Sequence, residues 1–367
     1  MESLKKTPLE SVHVALGARM VPFGGWSMPV QYTGILDEAR AVRERAGLFD
    51  LGHMGRVFVS GRDCEAWLQR LQTNDVSKIP PGKIRYAMIL DENGLTQDDI
   101  LVYREPSGEG FFIVVNAGNT ARDLGVMRKL AAGYSNLRID DQTDHLAMIA
   151  VQGPHAQSIA QKLTDIDLGS LKYYSWARGK VCGVDGSMSR TGYTGEDGFE
   201  IYLPNAKATE AWNKMLEVGE AKGIAPCGLG SRDILRLEAG MPLYGHEIDE
   251  TTTPLDAGLD FGVKYEHDFV GKAALERVRA AGGPARRLVG LTTESKRVPR
   301  QGYEVLHGGK VVGKVCSGGA SPTLGCNIAT AYVPHALAEP GTELAFAVKD
   351  KSEPARVCAL PFYKRAK

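Results

Sequence analysis

The 367-residue sequence has no apolar run that approaches the ~20 consecutive residues needed to cross a bilayer as a helix. Its first residues, MESLKKTPLESVHVALGARMV, lack the apolar core of a secretory signal peptide and the Arg- and Ser-rich composition of an organellar presequence. These absences argue against a membrane-spanning or secreted protein. We therefore expect a cytoplasmic bacterial protein, although a trimmed eukaryotic protein of the mitochondrial matrix would show the same features.

An excess of charge of either sign is missing as well. The chain has 44 Lys and Arg residues against 44 Asp and Glu residues, and its isoelectric point is about 7.1. Nucleic-acid-binding proteins and polybasic membrane-binding proteins carry a marked excess of basic residues. We therefore expect neither a nucleic acid nor a membrane as a partner, and an ordinary globular composition agrees with this expectation.

Metal-binding and nucleotide-binding patterns are also absent from the sequence. The six cysteines form no Cys-x-x-Cys pair, and the eight histidines form no His-Glu-x-x-His. Gly228 and Gly230 begin a Gly-x-Gly, but Asp233 occupies the third glycine position, so the dinucleotide fingerprint fails. We expect no metal, no nucleotide, and small buried thiols at Cys64, Cys182, Cys227, Cys316, Cys326 and Cys358.

The length exceeds the ~250–300 residues at which a single core stops growing, which predicts two or three domains. From residue 57 onward, the segments follow the order strand, helix, strand, strand, helix, strand, which suits a ferredoxin-like unit. From about residue 285, short strands alternate with Gly, Pro, Asn and Asp, which predicts a small antiparallel barrel or sandwich. The fold class expected from this mixture is α+β.

The stretch DENGLTQDDILVYR (91–104) places two carboxylates, Asp98 and Asp99, at the start of an apolar strand. Neighbouring side chains of a strand point to opposite faces, so both carboxylates cannot face solvent if one face is covered. Either one is aimed at a substrate, or the pair belongs to a solvated strand entry. Tyr86, on the preceding strand of the same hairpin, is either part of a site wall or an ordinary cross-strand neighbour.

A second stretch, SRTGYTGEDGFEI (189–201), has three glycines in seven positions around Tyr193. Glycine lets the backbone approach a ligand closely. Glu200 follows on a predicted strand, and a carboxylate held there can accept two parallel hydrogen bonds from the N–C–NH2 edge of a flat heterocycle. The alternative is a tight hairpin with a solvated glutamate.

A third stretch, PCGLGSRDILRLEAGMPLYGHEID (226–249), predicts a helix with Ser231 as its N-cap. Arg232 falls in the first turn, where a cation opposes the helix dipole, so its placement suggests an anionic ligand. We expect Arg236 and Glu238 to form structural ion pairs instead.

Seven segments extend this pattern over nearly the whole chain. They are GARMVPFGGWSMPVQY (17–32), RAGLFDLGHMG (45–55), DDILVY (98–103), IAVQGP (149–154), RTGYTGEDGFEI (190–201), CGLGSRDILRLEAGMPLYGHEIDETTTPLDAGL (227–259) and SGGASPTLGCNIATAYV (317–333). In their order and spacing, the chain resembles the T-protein family of the glycine cleavage system, whose members are tetrahydrofolate-dependent aminomethyltransferases.

The resemblance implies a three-domain α+β cloverleaf around a central folate site. Residues 1–52 and 141–275 would form a discontinuous folate-binding domain, residues 53–140 a ferredoxin-like domain, and residues 285–367 a small antiparallel β-barrel. The implied reaction moves an aminomethyl carbon from the lipoyl arm of a partner, the H protein, to tetrahydrofolate. It releases ammonia and forms 5,10-methylenetetrahydrofolate.

The resemblance also implies roles for individual residues. Asp98 matches the catalytic aspartate, which would stabilise a cation or assist proton transfer, and Glu200 matches the carboxylate that binds the pterin edge. The other implied folate-site residues are Tyr86, Asn116, Tyr193, Arg232 and, from the C-terminal tail, Tyr363.

Some positions depart from the family pattern, among them Gly52 in place of Ser and Phe261 in place of Trp. A folate-dependent demethylase and a non-catalytic folate-binding relative are the alternative readings. Relatives that serve iron–sulfur assembly carry a Lys-Gly-Cys-Tyr-x-Gly-Gln stretch, which RTGYTGEDGFE does not match.

Overall fold

The computed structural model describes residues 3–366. The strands in chain order are β1 (Lys5–Lys6), β2 (Arg19–Phe23), β3 (Trp26–Gln31), β4 (Ala46–Asp50), β5 (Gly55–Ser60), β6 (Ile84–Leu90), β7 (Thr96–Arg104), β8 (Phe111–Val115), β9 (Arg138–Asp141), β10 (Leu146–Gln152), β11 (Trp176–Val181), β12 (Val184–Ser189), β13 (Gly198–Pro204), β14 (Ile224–Pro226), β15 (Arg286–Thr293), β16 (Glu304–His307), β17 (Lys310–Ser321), β18 (Cys326–Pro334), β19 (Glu343–Val348) and β20 (Lys351–Cys358). The α-helices are α1 (Glu10–Ala15), α2 (Ile35–Glu44), α3 (Cys64–Leu71), α4 (Thr120–Ala131), α5 (Ala156–Ala160), α6 (Ala208–Gly219), α7 (Leu229–Glu238) and α8 (Lys272–Ala280).

A six-stranded mixed sheet in the order β11-β12-β13-β10-β4-β14 forms one layer. Helices α5 and α6 cover one of its faces, because α6 repeats its apolar residues with the helical period and buries Trp212 and Met215 there. A short 3₁₀ turn follows α6, and Gly223 ends it in the left-handed conformation at φ 66°. A three-stranded sheet, β1-β3-β2, lies at the N-terminus.

A second sheet has the order β6-β7-β8-β5-β9, with α3 and α4 on one face. Strands β7, β8, β5 and β9 have ferredoxin-like connectivity, and β6, the strand that carries Tyr86, makes three strands between the two helices where the predicted order had two. The other face of this sheet packs against the six-stranded sheet through a buried aromatic core that includes Tyr103, Phe112 and Tyr202. The site described below lies at one end of this interface.

The C-terminal strands close into an antiparallel barrel in the order β15-β18-β17-β16-β19-β20. Its interior is filled by apolar side chains such as Val305, Val315 and Phe346. Closure satisfies the sheet edges that a sandwich would leave open. The predicted α+β class and C-terminal barrel are therefore confirmed, whereas the boundaries of the three predicted domains stay a prediction. Among residues 3–366, no helix has the length and apolar character that a membrane crossing requires.

The N-cap of helix α7 lies three residues before the predicted N-cap, Ser231. Gly228 is the N-cap, because a Cβ there would overlap the backbone of Val30 on β3, and its N–H donates to the buried carboxylate of Glu38 at 2.8 Å. Ser231 lies inside the first turn and donates its hydroxyl to the carbonyl of Gly228 at 2.9 Å. A tertiary contact with α2 therefore set the helix start, and the sequence signal for a serine cap was wrong.

Asp50 on β4 is the centre of a buried polar cluster that holds the N-terminal segment. Its carboxylate accepts from Thr7 Oγ1 at 2.6 Å and from the backbone N–H of Gly52 at 2.8 Å, and it lies 2.9 Å from His13 Nε2. Burial alone would raise the pKa of Asp50, but the hydrogen bonds and the His13 charge hold this pKa below its ordinary value. The ionised carboxylate therefore stabilises the fold.

The sign of this contribution gives a testable pH dependence. A depressed native pKa stabilises the protein above the unfolded value of ~3.9, and the contribution disappears as the pH falls through the lower native pKa. We expect Asp50→Asn to lower the free energy of unfolding by about 2–4 kcal/mol at neutral pH, with a difference that shrinks below about pH 4. Urea unfolding across this range measures it, with the exposed Asp185→Asn as control; a pH-independent difference would contradict the assignment.

Candidate active site

A cavity of about 460 Å³ lies between the two packed sheets, the start of β7 and the residues around α7. Its volume is in the range of small-molecule sites, and its walls are mostly apolar with a few polar groups. The polar and aromatic side chains on its wall are Phe23, His53, Tyr86, Asp99, Asn116, Asn119, Tyr174, Tyr193, Glu200, Arg232, Tyr244 and Phe261. Five of the seven residues implied by the resemblance are therefore brought together here.

Asp99, and not Asp98, lies on the cavity wall. Strand β7 directs Ile100 and Val102 to the face that the helices cover. It directs Leu101 to the other face, which packs against the six-stranded sheet. By this alternation, Asp98 points with Ile100 toward α4, whereas Asp99 points with Leu101 toward the cavity. The expectation that the first carboxylate of the pair faces a ligand is therefore corrected to the second.

Two neighbours orient the Asp99 carboxylate. Tyr86 donates its hydroxyl to Oδ2 at 3.1 Å, and Asn116 donates its side-chain N–H to Oδ1 at 2.8 Å. Burial, and then the charge of Asp98, raises the pKa of Asp99 to about 7, against the effect of these two hydrogen bonds. A carboxyl group that changes protonation near neutral pH is suited to proton transfer.

Glu200 on β13 is 4% exposed and is held from one side only. Its Oε2 accepts from Thr191 at 2.6 Å and from Tyr103 at 3.3 Å. Among residues 3–366, no group donates a hydrogen bond to its Oε1. Burial raises the pKa of this carboxyl group. One oxygen is thus anchored and the other is available to a ligand in the cavity.

Arg232 on α7 provides a cation on the same wall. Its guanidinium lies 4.7 Å from the ring centre of Tyr193, whose hydroxyl donates to the carbonyl of Pro242. Within the described part of the chain, the Arg232 guanidinium makes no hydrogen bond or ion pair, and burial lowers its pKa. An unpaired guanidinium beside an aromatic ring can bind a polar or anionic ligand group.

His53 is a cavity residue that sequence reasoning missed. It is 2% exposed, packs edge-on against Phe23 at 5.5 Å, and its Nδ1 has no partner in residues 3–366. Burial and the nearby Arg232 lower the pKa of His53 to about 3, so the imidazole is neutral. The only sequence signal was its position inside the segment FDLGHMG.

Phe261 also lines the cavity and is 63% exposed, with its ring stacked on Tyr86 at 5.5 Å. An exposed aromatic ring at a cavity rim offers a flat surface for stacking. The sequence identified this position only as a departure from the family pattern, and the structure gives it a location at the site.

Tyr363 lies outside the cavity, contrary to the expectation for the C-terminal tail. Its ring packs 4.1 Å from the guanidinium carbon of Arg43, and its hydroxyl donates to Glu196 at 2.7 Å. Arg43 in turn pairs with Glu196 at 2.9 Å and with the buried Glu238 at 2.7 Å. Tyr363 thus attaches the C-terminal tail to Arg43 and Glu196, next to the glycine-rich residues 192–198, and its contacts there are structural. The prediction that Glu238 forms an ion pair is confirmed.

Two domain families of glycine cleavage T proteins together match most of this chain. The family of the GCVT N-terminal domain matches residues 9–267, and the family of the glycine cleavage T-protein C-terminal barrel domain matches residues 286–364. The chain belongs to the glycine cleavage T-protein family. Its similarity to individual members of this family extends along the whole chain.

The chain is 48% identical over 371 residues to the aminomethyltransferase of Symbiobacterium thermophilum, a match that covers 99% of this chain and 98% of the relative. It is 45% identical over 365 residues to the aminomethyltransferase of Bacillus subtilis, covering 99% and 100%. The crystal structure of glycine cleavage system aminomethyltransferase T from Bartonella henselae has a TM-score of 0.92 and 33% identity, covering 99% of both chains. The chain is therefore an aminomethyltransferase, as the family resemblance predicts.

Proposed function

We propose that the cavity binds tetrahydrofolate as co-substrate and receives the aminomethylated lipoyl arm of the H protein. The observation that carries this proposal is the arrangement of a half-satisfied carboxylate, an unpaired guanidinium and aromatic rings around one volume of about 460 Å³. The overall reaction would transfer the aminomethyl carbon to tetrahydrofolate and release ammonia and dihydrolipoyl H protein.

The residues on the wall fit a reduced pterin. The free Oε1 of Glu200 can accept from an N–C–NH2 edge, and Arg232 can bind a carbonyl or carboxylate group of the same ligand. Tyr86 and Phe261 supply stacked rings near Asp99. Bound folate would supply the nucleophilic nitrogen, and the protein supplies orientation and proton transfer.

In this proposal, Asp99 is the catalytic carboxylate, in place of Asp98. It is oriented by Tyr86 and Asn116, and its pKa of about 7 lets it accept a proton from a folate nitrogen and return it to a leaving group. The protons balance, since the two that leave the folate nitrogens go to ammonia and to the lipoyl sulfur. Holding both reactants in one cavity adds the advantage of proximity.

Ammonia release from aminomethylated H protein, measured with and without tetrahydrofolate, tests the proposal. Strong folate dependence is the expected result. Folate binding without ammonia release would overturn it and favour the demethylase or the non-catalytic folate-binding relative, which methylated amines as donors would then distinguish.

Glu200→Gln should weaken tetrahydrofolate binding more than it slows turnover. The amide keeps the shape but loses the charge that receives a paired N–H edge, so we expect the Kd to rise about 10–100-fold, from hydrogen bonds to a charged group worth ~1.5–3 kcal/mol. At saturating folate, kcat should change by no more than about threefold. Titration calorimetry measures the affinity, with the exposed Glu217→Gln as control. An unchanged Kd would remove Glu200 from the proposed pterin contact.

A further inference from the structure

A second pair of carboxyl groups lies behind Asp99, on the side of β7 that faces α4. Asp98 and Asp123 are both 0% exposed. Asp98 accepts three hydrogen bonds, from the backbone N–H of Asn116 at 2.9 Å, from Asn116 Nδ2 at 2.8 Å and from Asn119 Nδ2 at 2.6 Å. Within residues 3–366, neither carboxyl oxygen of Asp123 receives a hydrogen bond.

Asp98 is the neighbour that most affects Asp123, because, after burial, the Asp98 charge and a side-chain interaction with Asp98 are the next largest causes that raise the pKa of the Asp123 carboxyl. Two adjacent buried carboxylates repel one another strongly if both are ionised. The nearest cation, Arg122, approaches Asp123 only to 4.0 Å, and its guanidinium donates instead to Glu250 and to the carbonyl of Gln97. Asp98 has the donors that an anion needs, whereas Asp123 has none, which assigns the proton to Asp123.

Asn116 connects this pair to the cavity. It follows the last residue of β8, and its Nδ2 lies 2.8 Å from Asp98 Oδ1 and 2.8 Å from Asp99 Oδ1. An amide NH2 has two hydrogens, so one can go to each carboxylate. The position of Asn116, and through it the orientation of Asp99, therefore depends on an ionised Asp98.

We propose that Asp123 is a positioning residue that stays protonated and donates a hydrogen bond to the ionised Asp98, so that this buried pair keeps one negative charge and fixes Asn116 against Asp99. The proposal rests on the proposed function in one respect, because it takes Asp99 as the group whose titration controls turnover. Burial and the Asp98 charge raise the pKa of Asp123 to about 10, which agrees with a neutral acid at physiological pH.

The charged and titratable groups around these carboxyls leave this assignment intact. The titratable groups near Asp99 are Asp98, on the opposite face of β7, the hydroxyl of Tyr86, and the more distant phenols of Tyr174 and Tyr193, which are neutral because burial raises their pKa values.

The other groups whose charges interact with the buried pair are Arg122, on α4, and Tyr244, on the cavity wall. Arg122 is already paired with Glu250. Among these groups, the negative charge of Asp98 is therefore the one that most affects the pKa of Asp99.

Three variants separate the charge of Asp98 from the proton of Asp123. Asp123→Ala removes the donor, and we expect kcat to fall about tenfold. Asp123→Asn should restore most of this loss, because an amide N–H donates to Asp98 as the carboxyl O–H does. The midpoint of the pH profile assigned to Asp99 should stay in place in Asp123→Asn and move down by about one pH unit in Asp98→Asn, because only the latter removes a charge.

A downward shift of the midpoint in Asp123→Asn would show that Asp123 is ionised and would overturn the proposal. An unmoved midpoint in Asp98→Asn would overturn it as well. Infrared spectroscopy gives a readout that needs neither turnover nor folate. At about pH 8.5, above the pKa of Asp99 and below that of Asp123, the wild-type protein should show a protonated-carboxyl band that Asp123→Asn lacks.

Absence of that band in the wild-type protein would overturn the proposal whatever the catalytic result. Presence of the band in a protein without folate-dependent ammonia release would instead contradict the proposed function and leave the protonation of Asp123 established. The two failures are therefore distinguishable.

Discussion

Replacing Asp99 by Asn is expected to lower kcat for folate-dependent ammonia release about 10³-fold, within the ~10²–10⁴ range of positioned acid–base groups. Asparagine keeps the size of the side chain and can still contact Tyr86 and Asn116. It cannot change protonation near neutral pH. Since the proposed folate-binding groups Glu200 and Arg232 are untouched, the Kd for tetrahydrofolate should change by less than about threefold, and the loss should lie in kcat.

The control for this prediction is Asp185→Asn, because Asp185 has a side chain that is 92% exposed. Single-turnover measurement at saturating folate separates chemistry from binding. Asp98→Asn offers a second comparison, since Asp98 does not reach the cavity and should lose less activity than Asp99→Asn. A larger loss in Asp98→Asn than in Asp99→Asn would return the catalytic role to the first carboxylate of the pair.

Arg236→Met is expected to lower the free energy of unfolding by about 3–5 kcal/mol, the cost of leaving a buried charge without its partner. Arg236 on α7 and Glu247 are each 1% exposed and pair at 2.8 Å. Arg236 also donates to Ser317 on β17 at 2.6 Å, and Glu247 accepts from Thr330 on β18. These bonds join α7 to the C-terminal barrel, so their loss should weaken the attachment of the barrel.

Urea unfolding followed by tryptophan fluorescence measures this effect, with the exposed Arg279→Met as the matched control. Combining Arg236→Met with Glu247→Leu should recover part of the stability, because it removes the orphaned carboxylate. A loss below about 1 kcal/mol in the single variant, the size typical of a surface pair, would contradict the structural role of this ion pair.

Local sequence signals were sufficient for much of the fold. Helices α2 and α6 have strong apolar periodicity, and the left-handed Gly223 ends the 3₁₀ turn that follows α6. The change to short strands near residue 285 indicated the barrel, which the structure closes with six strands. The start of α7 could not be predicted from local sequence signals. Gly228 is required there because the backbone of Val30, a residue about 200 positions away in the chain, approaches it closely.

The family resemblance located the candidate site but did not orient its side chains. Tyr86, Asn116, Tyr193, Glu200 and Arg232 all reach one cavity. Tyr363 was predicted there from the family resemblance of the C-terminal tail. In the structure it instead contacts Arg43 and Glu196, and no local sequence pattern predicts this tertiary contact.

Sequence alone determined that one of two adjacent carboxylates, Asp98 and Asp99, must face away from the other, because strand side chains alternate. It also determined the family, the α+β class and the residue types of the site. Only the tertiary structure decided which carboxylate faces the cavity. Ile100, Val102, Leu101 and Tyr103 make both faces of β7 apolar, so each face has a core to cover it. The helices pack on one face and the sheet on the other, and this packing turns Asp99 toward the cavity and Asp98 toward α4.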